Sequence, residues 1–338
     1  MIGGEFPIAV TDVLNAHAVI RQDAGYYSYA SGRAALYQIL KFLKEQKHIT
    51  HVLLPDYLCS TILVPINLLG LSYSFFPLND RLELETASFC DVYRTEAAVL
   101  LINYFGLQDL SSQINSIRNV DEEAIIIEDD VQAYYEFQKP LGDVDFKYTS
   151  LRKTFAIPDG GLVKTHYTLP RDCQPCTFGQ YKAAAGLMKS LRDGCFDDNV
   201  YLDISHQGAE LIDKELEKGM SLISQKLYAI TDVEDVKQKR ISNARYLIQK
   251  LDELAIKPLL PLLEDKVPLF LPVILQNRDT VRRKMFEHDI FCPVHWSLDG
   301  MDVKRGAEMA QKELSLIVDQ RYGRDDMDLI LSLIKQHV

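Results

Sequence analysis

Between residues 30 and 165, short unbroken apolar runs alternate with stretches of helical spacing, and few architectures accept that pattern. His51-Val52-Leu53-Leu54 ends at Pro55, and Leu71 to Phe76, Ala97 to Ile102 and Ala124-Ile125-Ile126-Ile127 follow; Ala34 to Leu43 has helical spacing. A strand apolar on both faces needs cover on both faces, which a mostly parallel sheet between helices provides. The expected fold class is therefore α/β, with a doubly wound sheet. From about 205 to 256 the pattern becomes long, charged and helical. Beyond it we expect a strand at Pro268 to Leu275, a helix near Thr280 to His288, an extended piece at Phe291 to Trp296 and a final helix near Asp325 to Gln336. At 338 residues the chain can bury two cores. The expected division is a large domain over 1–240 and a smaller α+β domain over 241–338.

Lys and Arg number 37 against 48 Asp and Glu, a net charge of −11. An acidic surface repels nucleic acid and anionic membranes, so neither is expected as a partner. The six cysteines, Cys59, Cys90, Cys173, Cys176, Cys195 and Cys292, are scattered. Only Cys173 and Cys176 have CxxC spacing, with no second pair at zinc-finger distance, so reduced thiols and no metal are expected. Met1 to Phe6 lacks the basic start and apolar run of a signal peptide. Leu259 to Leu275 is interrupted by Glu264, Asp265 and Lys266 and is too short to span a bilayer. These features lead to the expectation of a soluble, cytoplasmic protein.

Ligands of open parallel sheets sit beyond the carboxyl ends of the strands, so polar residues there come first. Ser31-Gly32-Arg33-Ala34-Ala35-Leu36 opens a helix with a small pair, which suits a phosphate at the positive end of the dipole. Ile127-Glu128-Asp129-Asp130-Val131-Gln132-Ala133 follows a strand. An aspartate there can face a cleft and keep a pyridine nitrogen protonated, which makes the ring an electron sink. Tyr148-Thr149-Ser150-Leu151-Arg152-Lys153 precedes Gly160-Gly161, where the backbone can approach closely. A lysine there, beside the cation of Arg152, is disposed to lose its proton and act as nucleophile or base. Ser150 could donate to a phosphate. Cys292-Pro293-Val294-His295-Trp296 sets a histidine beside the only tryptophan, a candidate substrate wall. Taken singly, each segment has an ordinary reading: a helix cap, an acidic turn, a solvated lysine, a structural histidine.

Taken in order, these segments resemble the pyridoxal-phosphate (PLP) dependent sugar aminotransferases of the DegT/StrS family, which belong to PLP fold type I. Ser31 to Leu36 is similar to the family's Ser-Gly-Thr-Ala-Ala-Leu, and Ile127 to Ala133 to its Ile-Glu-Asp-Ala-Ala-Gln-Ala. Gly142-Asp143, Lys153 and Gly160-Gly161 repeat its order of Gly-Asp, Lys and Gly-Gly. Leu53-Leu54-Pro55 with Tyr57, and Asn103-Tyr104-Phe105-Gly106, resemble its strand-end loops. The family's serine five residues before the lysine is Tyr148 here.

The resemblance implies a large domain with a mostly parallel, seven-stranded-type sheet and a smaller C-terminal domain. It implies PLP as cofactor, held by Lys153 as a Schiff base, with Asp129 on the ring nitrogen and Gln132 near the phenolic oxygen. It makes Ser31, Gly32, Arg33 and Ser150 candidates for the phosphate. Tyr57 or Cys59 would cover the ring face, Tyr57 having the better stacking chemistry. His295 and Asn103 are the substrate candidates. The implied reaction is amino transfer, from glutamate to a keto group of a nucleotide-linked sugar, in a homodimer. Another PLP-dependent reaction on a non-sugar substrate, or a non-catalytic protein of this fold, stays open as an alternative.

Overall fold

The apolar runs become the middle of a seven-stranded sheet. A computed structural model describes residues 1–338 except 17–24, 172, 192–197, 299, 300, 302, 304 and 338, so Cys195 lies outside the described residues. The strands are β1 (Ile2–Gly3), β2 (Tyr27–Tyr29), β3 (His51–Pro55), β4 (Ser72–Phe76), β5 (Ala97–Ile102), β6 (Ile125–Asp129), β7 (Phe146–Ser150), β8 (Gly161–Thr165), β9 (Phe270–Ile274), β10 (Ile290–Phe291) and β11 (Glu313–Ile317). The central sheet has the order β2-β8-β7-β6-β5-β3-β4. Strands β3 to β7 pair in parallel, while β8 runs against both β7 and β2. Every residue of β3 and β5 is buried, as strands covered on both faces require.

Two sheet strands escape a reading based on apolar runs. Strand β7 is Phe146-Lys147-Tyr148-Thr149-Ser150, half of it polar, yet buried throughout. Its polar groups are satisfied from the neighbouring strand: Lys147 pairs with Glu128 at 3.2 Å, and the Thr149 hydroxyl donates to Asp130 O at 2.7 Å. Strand β8 opens on Gly161, which has no side chain to signal a strand.

Helix Gly32–Lys47 packs across β7 and β8, burying Ala34, Ala35, Leu36, Ile39, Leu40 and Leu43. Ser31 caps it, its Oγ accepting from Ala34 N at 3.1 Å. The charged stretch beyond 198 forms helices Asp198–Leu211, Leu222–Ile230 and Val233–Asp252. A second core then gathers Ala244, Leu247 and Leu251 with β9, β11 and helix Arg324–His337. Strand β9 pairs antiparallel with β11. Of the extended piece expected at Phe291 to Trp296, only Ile290–Phe291 is a strand; it pairs with β1, so Ile2 joins the second core. The expected boundary at 240 falls inside helix Val233–Asp252, whose Val236 packs into a cluster with Leu151 and Phe155. No described helix is long and apolar enough to cross a membrane.

Candidate active site

The carboxyl ends of β6 and β7 open on a cavity of about 310 Å³. Asp129 ends β6 and faces this cavity, while Glu128 and Asp130 alternate to the other side of the strand, where Glu128 meets Lys147. Asp129 Oδ1 accepts the Val131 N–H at 2.8 Å and Oδ2 accepts the Tyr148 hydroxyl. Burial raises the Asp129 carboxyl to about 6, against these two hydrogen bonds and the charge of Lys153. On the far side, burial and Glu128 hold Asp130 well above the usual carboxylate range.

Lys153 stands on a single helical turn, Leu151–Thr154, between β7 and the Gly160-Gly161 pair. Its side chain is open to the cavity yet walled by protein. Desolvation by those walls lowers its amine, and the neighbouring Arg152 lowers it further. The amine is thereby tuned towards its neutral, nucleophilic form. A Cβ at Gly161 would stand 2.1 Å from Ser31 O, so only glycine lets β8 bring the Ser31 cap against this turn.

Ser31, Gly32, Arg33, Ser150 and Arg152 line the same cavity as Asp129. A Cβ at Gly32 would meet Ser150 Cβ and Val131 Cγ2 at 3.2 Å, so this cradle exists because the residue is glycine. Arg33 is engaged by Asp213, whereas Arg152 lines the cavity among Ser150 and Lys153. A helix N-terminus with two guanidinium groups suits an anion.

Eight of the ten expected site residues line this cavity: Ser31, Gly32, Arg33, Asp129, Gln132, Ser150, Lys153 and His295. Tyr57 and Asn103 do not. Tyr57, expected over the ring face, is fully buried behind the wall, with its ring against Tyr104 and Trp296 and its hydroxyl donating to His295 O. It borders a separate cavity of about 440 Å³ with Asp56, Asn79 and Glu85; Cys59 is the member of that pair that lines the site. Asn103 is buried behind Asp129, its N–H donating to Asp129 O at 3.0 Å. Its main chain thereby extends the ladder at the strand end.

Two residues near the site carried little sequence signal. Glu313 and Ser315 belong to β11 and are fully buried. Ser315 Oγ is 2.7 Å from His295 Nδ1 and donates to Glu313 Oε1 at 2.5 Å, and the His295 N–H donates to Glu313 Oε2 at 2.7 Å. Burial raises Glu313 to about 7, and burial with the charge of Lys153 lowers His295 to about 3. The one available hint is an acid opening the apolar run Glu313-Leu314-Ser315-Leu316-Ile317.

A second cavity, of about 460 Å³, shares Arg152, Lys153, Leu269, Phe270 and Pro293 with the first and adds Arg240, Arg282 and Arg321. Lys153 thus stands where the two spaces meet. Among the described residues, no group of three or more His, Cys, Asp or Glu is placed to hold a metal ion.

The architecture is that of PLP fold type I. Within it, the chain is similar to CalS13 of Micromonospora echinospora, a sugar aminotransferase (15% identity, TM-score 0.70, covering 100% of both chains). It is similar also to Spr1654 of Streptococcus pneumoniae in its PLP form (14%, TM-score 0.72, covering 99% of this chain and 98% of that one). A DegT DnrJ EryC1 StrS aminotransferase from Brucella abortus is a third (17%, TM-score 0.63, covering 92% and 85%). No protein-family model matches the sequence, and no curated protein matches it. At these identities the likeness carries the fold. The donor set fits PLP on its own terms: an amine and a carboxylate face one cavity, and a glycine-made cradle with two arginines lines the same cavity.

Proposed function

We propose that this chain is a PLP-dependent aminotransferase, and that its acceptor is a keto sugar carried on a nucleotide. The observation that carries the reading is the meeting of Lys153, Asp129 and the Ser31–Arg33 cradle in one cavity. PLP, when bound, supplies the electron sink that makes an amino group transferable between two carbon skeletons. Lys153 would hold the cofactor covalently and move a proton at the substrate carbon through Nζ, a task suited by an amine lowered from its ordinary value. Asp129 would keep the ring nitrogen protonated, with Tyr148 and Val131 fixing the carboxylate's orientation. Ser31, Gly32, Arg33, Ser150 and Arg152 would hold the phosphate. Gln132, whose Oε1 accepts the Phe105 N–H at 2.9 Å, is held at the cavity wall.

In the second cavity Arg240 is engaged by main-chain carbonyls and Arg321 by Asp319, which leaves Arg282 with Arg152 to support an anionic reactant on that side of Lys153. The carboxylates of a glutamate donor and the diphosphate of a nucleotide sugar both meet that requirement. We also propose a homodimer; exposed Tyr181, Leu191, Val200 and Leu202 stand on or beside helices Phe178–Ser190 and Asp198–Leu211. Light scattering of purified protein tests this.

The decisive experiment is the visible spectrum of purified protein with PLP, before and after Lys153→Ala, followed by amino donors. Native protein should show the band of lysine-bound cofactor, and glutamate should bleach it. Lys153→Ala should lack the band, keep its circular dichroism and lose at least about 10²-fold in turnover. An unchanged band in the variant would refute the assignment.

A further inference from the structure

His295 lines the site cavity, yet its ring is almost wholly enclosed by Phe105, Phe270 and Trp296, with centroids at 5.5, 5.2 and 5.0 Å. Lys153 adds a positive charge nearby. A histidinium is therefore strongly disfavoured there, and an isolated imidazole at this position would be a poor base. The ring is not isolated. Nδ1 is taken by Ser315 Oγ, Ser315 reaches Glu313 Oε1, and Nε2, without a partner among the described residues, is left for the cavity that His295 lines.

We propose that His295 is an acid–base group of the site, and that Ser315 and Glu313 are positioning residues that relay its proton away so the imidazole never carries a charge. This rests on the reading that the cavity holds the reacting groups. With Glu313 ionised, Ser315 donates its only hydrogen to that carboxylate and must accept from Nδ1–H. Nε2 then presents a bare lone pair to the cavity. When Nε2 takes a proton, Nδ1 hands its own to Ser315 Oγ, and the Ser315 hydroxyl proton passes to Glu313 Oε1. One N–H forms at Nε2 and one O–H at Glu313. The Nδ1–H and the original Ser315 O–H break, and a new Ser315 O–H points back at Nδ1. No charge is left on the ring, and the net change is the neutralisation of a buried carboxylate.

The surroundings of Glu313 suit that end point. Its carboxyl is held at about 7 by burial, against the Ser315 and His295 hydrogen bonds and the charge of Arg278; Tyr57 also faces it. The histidine thus works with the affinity of the glutamate, near neutrality, instead of its own depressed value.

Trp296 is the only tryptophan in the chain and its ring lies edge-on to His295, so its fluorescence reads this relay without any cofactor. Cofactor-free protein should show a fluorescence titration with a midpoint near neutral pH, and Glu313→Gln should abolish it. In the PLP-loaded enzyme, Glu313→Gln and Ser315→Ala should each lower kcat tenfold or more with KM within twofold. Glu313→Gln should also erase the acidic limb of the kcat–pH profile, and Ser315→Thr should restore at least half of kcat. A Glu313→Gln protein with the native titration or the native pH profile overturns the relay. So does equal loss of kcat in Ser315→Thr and Ser315→Ala, which would mark a packing effect. If Glu313→Gln fails to fold, the two Ser315 variants decide alone. A chain that never binds PLP but shows the titration and its loss would sink the functional reading and leave the relay standing.

Discussion

Desolvation by the surrounding protein acts on Lys153 and Asp129 in the same sense, towards the neutral form, although one is a base and the other an acid. For Lys153 this favours nucleophilic chemistry. For Asp129 it is a cost that a cationic partner at the cavity would remove. The carboxyl sits at about 6 in the folded chain against 3.8 for the ordinary group. Between those values the folded state binds more protons than the unfolded one, so stability falls as pH rises through that window. The difference corresponds to about 3 kcal/mol lost at neutral pH in cofactor-free protein. Asp129→Asn should therefore raise Tm at neutral pH and flatten its fall between about pH 4 and 6, while weakening PLP binding. Thermal melts with and without PLP check both signs. An acid after an apolar strand and a lysine before Gly-Gly are local patterns with ordinary readings taken singly, and it was their order along the chain that singled these two residues out.

Strand β8 depends on a missing side chain. A methyl at Gly161 would collide with the Ser31 carbonyl, a backbone atom that cannot rotate away. Gly161→Ala should cost about 1–3 kcal/mol and displace the Ser31 cap, measured as a lower urea midpoint together with weaker binding of PLP. Elements with an unbroken apolar pattern, such as β3 and β5, could be read from composition alone. Strands β7 and β11 could not, because their polar residues Lys147, Thr149, Glu313 and Ser315 are satisfied by partners distant in sequence. That satisfaction exists only once the strands lie side by side. Tyr57 shows the converse: its aromatic character suggested a stacking role, and packing against Tyr104 and Trp296 turned it inward.

Arg240 ties the two cores together. From helix Val233–Asp252 its guanidinium donates to Pro268 O and Leu269 O ahead of β9, and to Thr154 O at the end of the lysine turn. It is fully buried, and burial lowers it from the ordinary arginine range. Removing it leaves Pro268 O and Leu269 O without this donor, while Thr154 O keeps the Gln320 amide, so Arg240→Met should cost on the order of 3 kcal/mol. Urea unfolding followed by Trp296 fluorescence checks the prediction. An unchanged midpoint would show that the cores hold together without it.

Apolar runs, strand-end carboxylates and glycine pairs are local properties: the runs carried the α/β class, and the order of the segments, through its resemblance to a family, singled out Lys153, Asp129 and the Ser31–Arg33 turn. Which side chains share a cavity is a property of distant segments. His295 is joined to Glu313 and Ser315 because the stretch after β10 runs beside β11, where the Ser315 N–H donates to Pro293 O at 3.0 Å. Asn103 and Tyr57 are buried outside the cavity lining by the same kind of packing. The physical reason is that a hydrogen-bonding partner or a buried wall is supplied from across the fold, so no spacing along one segment encodes it.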